Sequence, residues 1–343
     1  MKAVVMHGPG NVRVETVADP VRAPGEALLR VRRIGLCGTD LSSWRGRNPL
    51  VSYPRIPGHE IAATIVELGE DHPAHLSVGM DVTLSPYYCC RCCSSCRNER
   101  HNACRDNQTL GVQRDGALAE YVSVPAEKLY SAQLNLEELC LVEPLTVGCH
   151  AAARARVTSK DVVAIFGCGG VGLGAVAAVA FRGATTVGID IDDTKLAIAQ
   201  QAGAAHVIHS QRQNPAELLA ELTGGHGPDV VIEAVGSPET FRSAVEVVAF
   251  TGRVVYIGYA KEPVTYETRL FVQKELDIVG ARNALPEDFR QTIQMLEQHR
   301  FPVEAAIGTV APMEQTAELL HAWSTDPGRF RKIMITLDQE TTG

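Results

Sequence analysis

Residues 162–172, VVAIFGCGGVG, give the strongest indication of the fold of the second half of the chain. An apolar run ends in a Gly-x-Gly-x-x-Gly pattern, and an Ala-rich segment follows directly. This context predicts a strand, a tight turn and a helix whose N-terminal amides hold a pyrophosphate. The alternative is a Gly-rich turn that binds no nucleotide. The candidate cofactor contacts are Gly167, Gly169, Gly170, Val171 and Gly172.

Beyond this motif, strand-like and helix-like segments alternate up to about residue 259. The strand-like segments are apolar and β-branched, which predicts a parallel sheet with helices on both faces. Asp190 closes the next strand, TTVGID, 18 residues beyond Gly172. A carboxylate there accepts hydrogen bonds from a ribose and repels a 2′-phosphate, which favours NAD over NADP. Lys195 either approaches the same ribose or is an ordinary surface residue of a helix.

Upstream, the first ~140 residues contain short strand-like segments, one of them DVTLSPY at 81–87, separated by Pro, Gly and Asp, which predicts a β-rich domain. The chain has 343 residues, too many for one ordinary core. We expect a β-rich domain formed by residues 1–147 and 298–343, and a nucleotide-binding domain formed by residues 148–297. The C-terminal part is expected to contain helix-like segments at 286–298 and 313–323 and a strand at 332–337.

Composition excludes several classes of protein. The hydrophobic share is 45% and the charged share is 21%, as in globular proteins. The net charge of −8 and the absence of a basic block argue against a nucleic-acid partner. The N-terminus lacks the apolar core of a signal peptide, and the most apolar stretch is interrupted by five glycines. We therefore expect a soluble cytoplasmic protein that does not associate with membranes.

Six of the ten cysteines lie between Cys89 and Cys104, and the cytosol keeps thiols reduced, so we interpret this cluster as a metal site. The spacing C-x2-C-x2-C-x7-C places four thiolates on one loop, which suits a closed, structural zinc site. An iron–sulfur cluster or plain reduced thiols are the alternatives. Cys89 and Cys92 are left as bystanders. The candidate ligands are Cys90, Cys93, Cys96 and Cys104.

A third set of residues is dispersed along the chain and comprises Cys37 in GLCGTD, His59 and Glu60 in PGHE, and Glu143 in LVEP. Each alone has an ordinary explanation, since a buried cysteine is usually a small hydrophobic residue, a single histidine is usually structural, and Glu143 before Pro144 could belong to a turn. Together they offer a thiolate, an imidazole and two carboxylates, a mixture that binds Zn²⁺ and leaves room for an exchangeable oxygen ligand.

The order of these motifs resembles the zinc-dependent medium-chain alcohol dehydrogenases, and the resemblance spans nearly the whole chain. The His-Glu pair and the Glu-Pro element resemble the sorbitol dehydrogenase branch. The segments Ser52–Arg55, Lys274-Glu275 and Arg282–Phe289 are similar to bacterial hexonate dehydrogenases of the L-galactonate oxidoreductase type. The resemblance implies an α/β protein with a GroES-like catalytic domain and a Rossmann domain, assembled as a homodimer or homotetramer.

The resemblance also implies roles for single residues. A catalytic zinc in a cleft between the domains would be held by Cys37, His59 and a carboxylate, either Glu60 or Glu143. Thr39 would relay the substrate proton, although Ser42 stands where many relatives carry histidine. Trp44 either lines the pocket or belongs to the core, and His150 is expected to be a helix residue. Further expected contacts are Val235, Ile257 and Arg282 with the cofactor, and Arg282 and Asn283 with the substrate, an ordinary ion pair being the alternative for Arg282.

The sequence therefore predicts oxidation of a secondary hydroxyl of a sugar acid or sugar alcohol, with NAD and two zinc ions per chain. The alternatives are an aldose, threonine or simple secondary-alcohol dehydrogenase of the same fold, and a nucleotide-binding relative without catalysis.

Overall fold

The computed structural model describes residues 1–337. The chain divides into two compact units, one formed by Met1–Glu143 and the segment from Val303 onward, the other by Pro144–Pro302. The expected domain boundaries were 147/148 and 297/298. The first observed boundary lies inside a continuous 19-residue helix, so no loop or linker in the sequence marks it.

The first unit is rich in β structure. Its elements, in chain order, are β1 (Lys2–Gly8), β2 (Asn11–Thr16), β3 (Glu26–Leu36), α1 (Gly38–Trp44), β4 (Glu60–Leu68), β5 (Asp81–Leu84), β6 (Tyr87–Tyr88), α2 (Ser94–Arg97), β7 (Gln108–Thr109), β8 (Tyr121–Pro125), β9 (Leu129–Ser131) and the start of α3 (Leu136–Arg154).

The second unit alternates strands and helices after the end of α3. Its elements are β10 (Val162–Phe166), α4 (Gly170–Phe181), β11 (Thr185–Asp190), α5 (Asp193–Gln201), β12 (His206–His209), α6 (Pro215–Leu222), β13 (Val230–Glu233), α7 (Pro238–Val247), β14 (Arg253–Tyr256), α8 (Arg269–Gln273), β15 (Asp277–Gly280) and α9 (Pro286–Glu297). The chain then returns to the first unit with α10 (Val303–Ala306), β16 (Ile307–Pro312), α11 (Thr316–Thr325) and β17 (Lys332–Thr336).

The main sheet of the first unit has the strand order β16-β17-β3-β4-β5-β9, and β8 also pairs with β3. Strand β3 is the organising strand, because its 11 residues pair with β4, β8 and β17. Alternate residues of these strands point into one core, which includes Leu29, Ile34, Ile61, Ile65 and Ile335. This arrangement places the end of β3, the start of β4 and the start of β17 side by side.

The second unit contains a six-stranded sheet of order β12-β11-β10-β13-β14-β15, and all of its pairings are parallel. The chain reverses direction across the sheet between β10 and β13, which is where parallel α/β sheets bind ligands at the carboxyl ends of their strands. The fold class expected from the sequence, an α/β chain with a doubly wound parallel sheet, is confirmed.

Several elements differ from the expectation. The segment 81–87 was predicted as one strand, but Ser85-Pro86 separates β5 from β6 because proline has no amide to donate. Strands β4, β15 and β16 and the long helix α3 had no clear prediction. Glu143 was considered a possible turn residue and instead lies within α3. Within residues 1–337, no helix is both long and apolar enough to span a membrane.

Candidate functional site

Cys37, the residue that follows β3, is the N-cap of helix α1. The Cys37 amide donates to Asp40 Oδ2 over 2.8 Å, and the Asp40 amide donates back to the Cys37 carbonyl over 2.9 Å. This reciprocal pair satisfies donors that the first turn of a helix leaves free. Cys37 is half-buried, so its thiol is fixed at the junction of strand and helix without being enclosed.

His59 and Glu60 lie beside this junction, at the start of β4. Consecutive strand residues point to opposite faces, so the two side chains can approach one another only if the backbone bends. The bend is present, because Gly58 has φ +98° and β4 begins only at Glu60. One ligand atom from each of Cys37, His59 and Glu60 lies within 4.8 Å of the other two.

Glu60 is accommodated by a glycine on the neighbouring strand. Gly35 of β3 is its cross-strand partner, and a Cβ on Gly35 would lie 1.9 Å from Glu60 Oε2. The carboxylate is 1% exposed and pairs with Lys332, whose Nζ lies 2.6 Å from both of its oxygens. Burial lowers the pKa of Lys332, but the charge and hydrogen bond of Glu60, together with the nearby sulfurs of Cys37 and Cys140, outweigh burial and raise it, so the lysine is charged.

Glu143 approaches the same group from α3. Its Oε1 accepts a short hydrogen bond from the Tyr87 hydroxyl, and both residues are buried. Burial raises the pKa of Glu143, and burial together with the nearby Glu143 carboxylate raises the pKa of Tyr87 well above its ordinary value. Glu143 does not belong to the group of ligand atoms formed by Cys37, His59 and Glu60.

The group of charges fits a divalent cation. Asp40, Glu60 and Glu143 are each at most 4% exposed, and Lys332 is the cation that pairs with one of them. Burial alone would lower the pKa of His59, but the thiolate of Cys37 and two of these carboxylates raise it well above its ordinary value. Within residues 1–337, His59 Nδ1 has no hydrogen-bond partner. The sulfur, nitrogen and oxygen donors of Cys37, His59 and Glu60 match the ligand preferences of Zn²⁺.

Two further predicted residues lie on α1. The Cys37 thiol lies 3.6 Å from Thr39 Oγ1, so the threonine hydroxyl borders the ligand group. Trp44, at the end of the helix, packs edge-on against His321 of α11 with ring centroids 6.0 Å apart. That contact ties Trp44 to the core of the first unit, one of the two readings that the sequence allowed.

The second predicted metal site is a four-sulfur cluster on the loop around α2. The Sγ–Sγ distances are 3.6 Å for Cys93–Cys96, 3.8 Å for Cys93–Cys104 and 3.5 Å for Cys90–Cys104. A regular tetrahedron with Zn–S bonds of about 2.3 Å has edges of about 3.8 Å, so these four sulfurs stand at zinc-binding separations. Backbone amides, that of Arg105 first, lower the pKa of Cys93 to about 6, which favours its thiolate.

Two cysteines expected to be bystanders differ from each other. Cys92 is exposed, whereas Cys89 is half-buried. Cys89 Sγ, Cys96 Sγ and a ring nitrogen of His101 all lie within 4.8 Å of one another. Cys96 therefore belongs to two groups of potential ligands.

In the second unit, the glycine motif forms the turn between β10 and α4. Gly167 has φ +91°, and a Cβ on Gly172 would lie 1.8 Å from the Gly167 carbonyl oxygen, so both positions require glycine. Nothing lies within 4 Å of a Cβ built on Gly169 or Gly170, so the turn is open where a phosphate would approach. Asp190 Oδ2 accepts from the Cys168 amide over 2.7 Å, which joins the end of β11 to this turn.

The other expected cofactor contacts lie near the carboxyl ends of the same strands. Lys195 is in the first turn of α5, and Val235 and Ile257 follow β13 and β14. Arg282 and Asn283 lie between β15 and α9, and Asn283 has φ +53°. His150 lies in α3, where its Nδ1 is 2.8 Å from the buried carboxylate of Asp288, consistent with the structural role expected for it.

Sequence reasoning missed three residues of the first-unit site, namely Asp40, Tyr87 and Lys332. Asp40 carried a signal, because an acidic side chain three residues after Cys37 is a helix-capping pattern. Tyr87 and Lys332 carried none, since their partners Glu143 and Glu60 lie 56 and 272 positions away in the sequence.

Comparisons with known proteins agree with this geometry. Residues 23–133 match the family model described as the alcohol dehydrogenase GroES-like domain, and residues 170–298 match the zinc-binding dehydrogenase model. The chain is 33% identical to L-galactonate-5-dehydrogenase of Escherichia coli K12, over 82% of this chain and 86% of the relative. It is 34% identical to sorbitol dehydrogenase of Bacillus subtilis, over 82% of this chain and 81% of the relative.

Solved structures show the same architecture. The structure of RspB from E. coli CFT073, described as a short chain alcohol dehydrogenase complexed with NADH, is 26% identical, with a TM-score of 0.90 and coverage of 98% and 99%. A zinc-binding dehydrogenase from Sinorhizobium meliloti bound to NADP is 27% identical, also with a TM-score of 0.90, over 98% of each chain. Motifs, fold and relatives agree, and this chain belongs to the zinc-type medium-chain alcohol dehydrogenase family, among polyol and sugar-acid dehydrogenase relatives that act on CH–OH donors.

Proposed function

We propose that this chain oxidises a secondary hydroxyl of a sugar acid or sugar alcohol to the ketone, with NAD as the hydride acceptor. The observation that carries the proposal is the approach of Cys37, His59 and Glu60 to within 4.8 Å of one another. Thiolate, imidazole and carboxylate together hold zinc while leaving a position for an oxygen ligand.

In this proposal Cys37, His59 and Glu60 hold the catalytic zinc, and Cys90, Cys93, Cys96 and Cys104 hold a structural one. Of the two carboxylates left open by the sequence, Glu60 is assigned to the metal because it belongs to the ligand group, whereas Glu143 is held by Tyr87. Lys332 offsets the Glu60 charge, which would lower the cost of burying this carboxylate whether or not it held the ion.

The catalytic zinc would supply Lewis acidity, which lowers the pKa of a bound substrate hydroxyl towards neutral values. Thr39 is assigned to accept the hydroxyl proton and pass it outward, because its Oγ1 lies 3.6 Å from the Cys37 thiol. Ser42 replaces the histidine that many relatives carry further along this relay, so we assign the outer step to water or directly to the cofactor ribose. Arg282 and Asn283 are assigned to the polar groups of substrate or cofactor.

Asp190 supports the choice of NAD. Its Oδ1 accepts from the amides of Ile191 and Asp192 over 2.7 and 3.1 Å, and Oδ2 accepts from Cys168. Three backbone donors thus hold a carboxylate at the end of β11, where it would meet the adenosine ribose and disfavour a 2′-phosphate.

Initial rates of NADH or NADPH formation on a panel of substrates test the proposal. The panel contains sorbitol, galactitol, L-galactonate, glucose, threonine and ethanol, each with NAD and with NADP. We expect the highest kcat/KM on a polyol or hexonate with NAD. A preference for glucose, threonine or ethanol would assign the chain to another activity of the same fold, and no turnover on any substrate would support a nucleotide-binding protein without catalysis.

A further inference from the structure

The cysteine loop holds more ligands than one structural zinc needs. Cys90, Cys93, Cys96 and Cys104 complete a tetrahedron, yet Cys89 and His101 lie beside it with ligand atoms within 4.8 Å of Cys96 Sγ. Cys89 directly follows β6, Cys96 lies in α2, and His101 begins a short 3-10 turn ending at Ala103.

Backbone hydrogen bonds fix the approach of His101 to Cys96. The Glu99 amide donates to the Cys96 carbonyl over 3.1 Å, and the Arg100 amide donates to the Ser95 carbonyl over 2.8 Å. On the other side, the Cys104 amide donates to the His101 carbonyl over 3.1 Å. The link between the two ligands is therefore held by backbone hydrogen bonds, which limits the conformational entropy that it loses when a metal ion binds.

Charge also favours a second cation. Four thiolates around one divalent ion leave a net negative charge on their sulfurs, and a thiolate sulfur has further lone pairs with which to bridge two ions. Cys96 is 5% exposed, whereas Cys89 is half-buried and His101 is exposed. The second group therefore opens towards solvent, where water can complete a tetrahedron.

We propose that Cys89, Cys96 and His101 form a second metal site on this loop, for a borderline or soft cation such as Zn²⁺, with Cys96 bridging it to the four-cysteine ion. Two sulfurs and one imidazole exclude Mg²⁺ and Ca²⁺, which prefer oxygen ligands. Because the outer site is open and shares a ligand, it binds zinc more weakly than the four-cysteine site. The loop thus takes up zinc in two steps.

Zinc content at controlled free Zn²⁺ tests this proposal without any measurement of activity. The full chain is dialysed to equilibrium against a series of zinc buffers, and bound zinc per chain is measured by elemental mass spectrometry. We expect Cys89→Ser and His101→Ala to bind one zinc per chain fewer than wild type at high free Zn²⁺, and the same number at low free Zn²⁺. Cys92→Ser is the matched control, since it alters an exposed cysteine of the same loop outside the proposed ligand set, and it should bind as much as wild type.

Equal zinc content in wild type, Cys89→Ser and His101→Ala at every free Zn²⁺ concentration would overturn the second site. Loss of the same ion in Cys92→Ser would also overturn it, because the ligand set would then be wrong. Circular dichroism of each variant is recorded as a control, to check that the fold is retained. The readout is a difference between variants of one loop, so it stands apart from the catalytic site, whose ion is removed separately by Cys37→Ser.

Discussion

Lys332 Nζ lies 2.6 Å from both carboxylate oxygens of Glu60, pairing the acid next to His59 with a lysine 272 positions further along the chain. Strand pairing produces this contact, because β3 lies between β4 and β17 and pairs with both. The lysine side chain is 12% exposed and the carboxylate 1%. A carboxylate this deeply buried needs a positive partner, and the site provides two candidates, Lys332 and a metal ion.

Replacement of Lys332 should therefore depend on zinc. In the chelator-treated protein, Lys332→Met should lower the free energy of unfolding by about 3–5 kcal/mol, since it leaves a buried charge without a partner. Added zinc should restore part of the loss, and Lys332→Arg should lose less. Urea unfolding with and without zinc measures this. Lys2→Met is the matched control, because the exposed Lys2–Glu314 pair should contribute at most about 1 kcal/mol. An equal loss in both variants would contradict the role given to Lys332.

The two carboxylates should separate in their effects. Glu60→Gln should weaken zinc binding at the Cys37 site by about 10- to 100-fold, whereas Glu143→Gln should retain the ion and mainly lower kcat. Zinc competition with a chromophoric chelator, measured together with steady-state kinetics, distinguishes the variants. If Glu143→Gln loses the ion and Glu60→Gln keeps it, the assignment of the ligand is reversed.

The two cysteine sites should differ in what they support. Cys104 is fully buried in the four-sulfur cluster, so Cys104→Ser should lower stability because the cluster loses its metal. Cys37→Ser should leave the melting temperature close to that of the wild type and abolish turnover. Differential scanning calorimetry and initial rates on the same preparations provide the comparison. An equally large drop in melting temperature for both variants would count against this division.

The choice of cofactor should depend on Asp190. Asp190→Ala should lower the ratio of kcat/KM for NAD to that for NADP by at least about tenfold, since it removes both the ribose acceptor and the charge that repels a 2′-phosphate. Asp193→Ala is the control, because Asp193 lies on α5 close by and pairs with Arg212 at the surface. An unchanged ratio in Asp190→Ala would refute the argument for NAD.

Asp161 links the stability of the second unit to pH. Burial raises the pKa of Asp161, but the Thr158 amide and Arg253 outweigh it and lower this pKa below its ordinary value. A carboxyl whose pKa is lowered by folding stabilises the fold above its unfolded pKa, and this stabilisation is lost as the pH falls through the folded value. Asp161→Asn should therefore be less stable than wild type at pH 7, and the difference should shrink towards pH 3. A difference that stays constant with pH would show that the charge is not the cause.

Local patterns in the sequence were sufficient to indicate which residues lie close together within the cysteine loop and within the glycine turn. The glycine motif, Asp190 and the four cysteines occupy short segments in which spacing alone determines which groups can meet. The apolar, β-branched segments likewise indicated a parallel sheet, because a strand covered on both faces needs apolar residues on both.

The remaining features depend on contacts between residues far apart in the sequence. His59 precedes the regular part of β4, which begins only at Glu60, and Lys332 enters the site only through the order of strands in the sheet. Tyr87 was not recognised, because Ser85-Pro86 divides residues 81–87, which were expected to form one strand, into β5 and β6. The boundary after Glu143 has no local sequence signal, because α3 continues through it. None of these features is encoded within a short window of sequence.

An ion held by Cys37, His59 and Glu60 should be required for NAD-linked oxidation of a polyol or hexonate. The most direct test is to strip the protein of zinc, return zinc in small steps, and record bound zinc and NADH formation on the same samples. We predict that turnover appears in proportion to occupancy of the one ion that Cys37→Ser cannot bind. Full turnover by the stripped protein, or turnover that follows only the ions of the cysteine loop, would contradict the account.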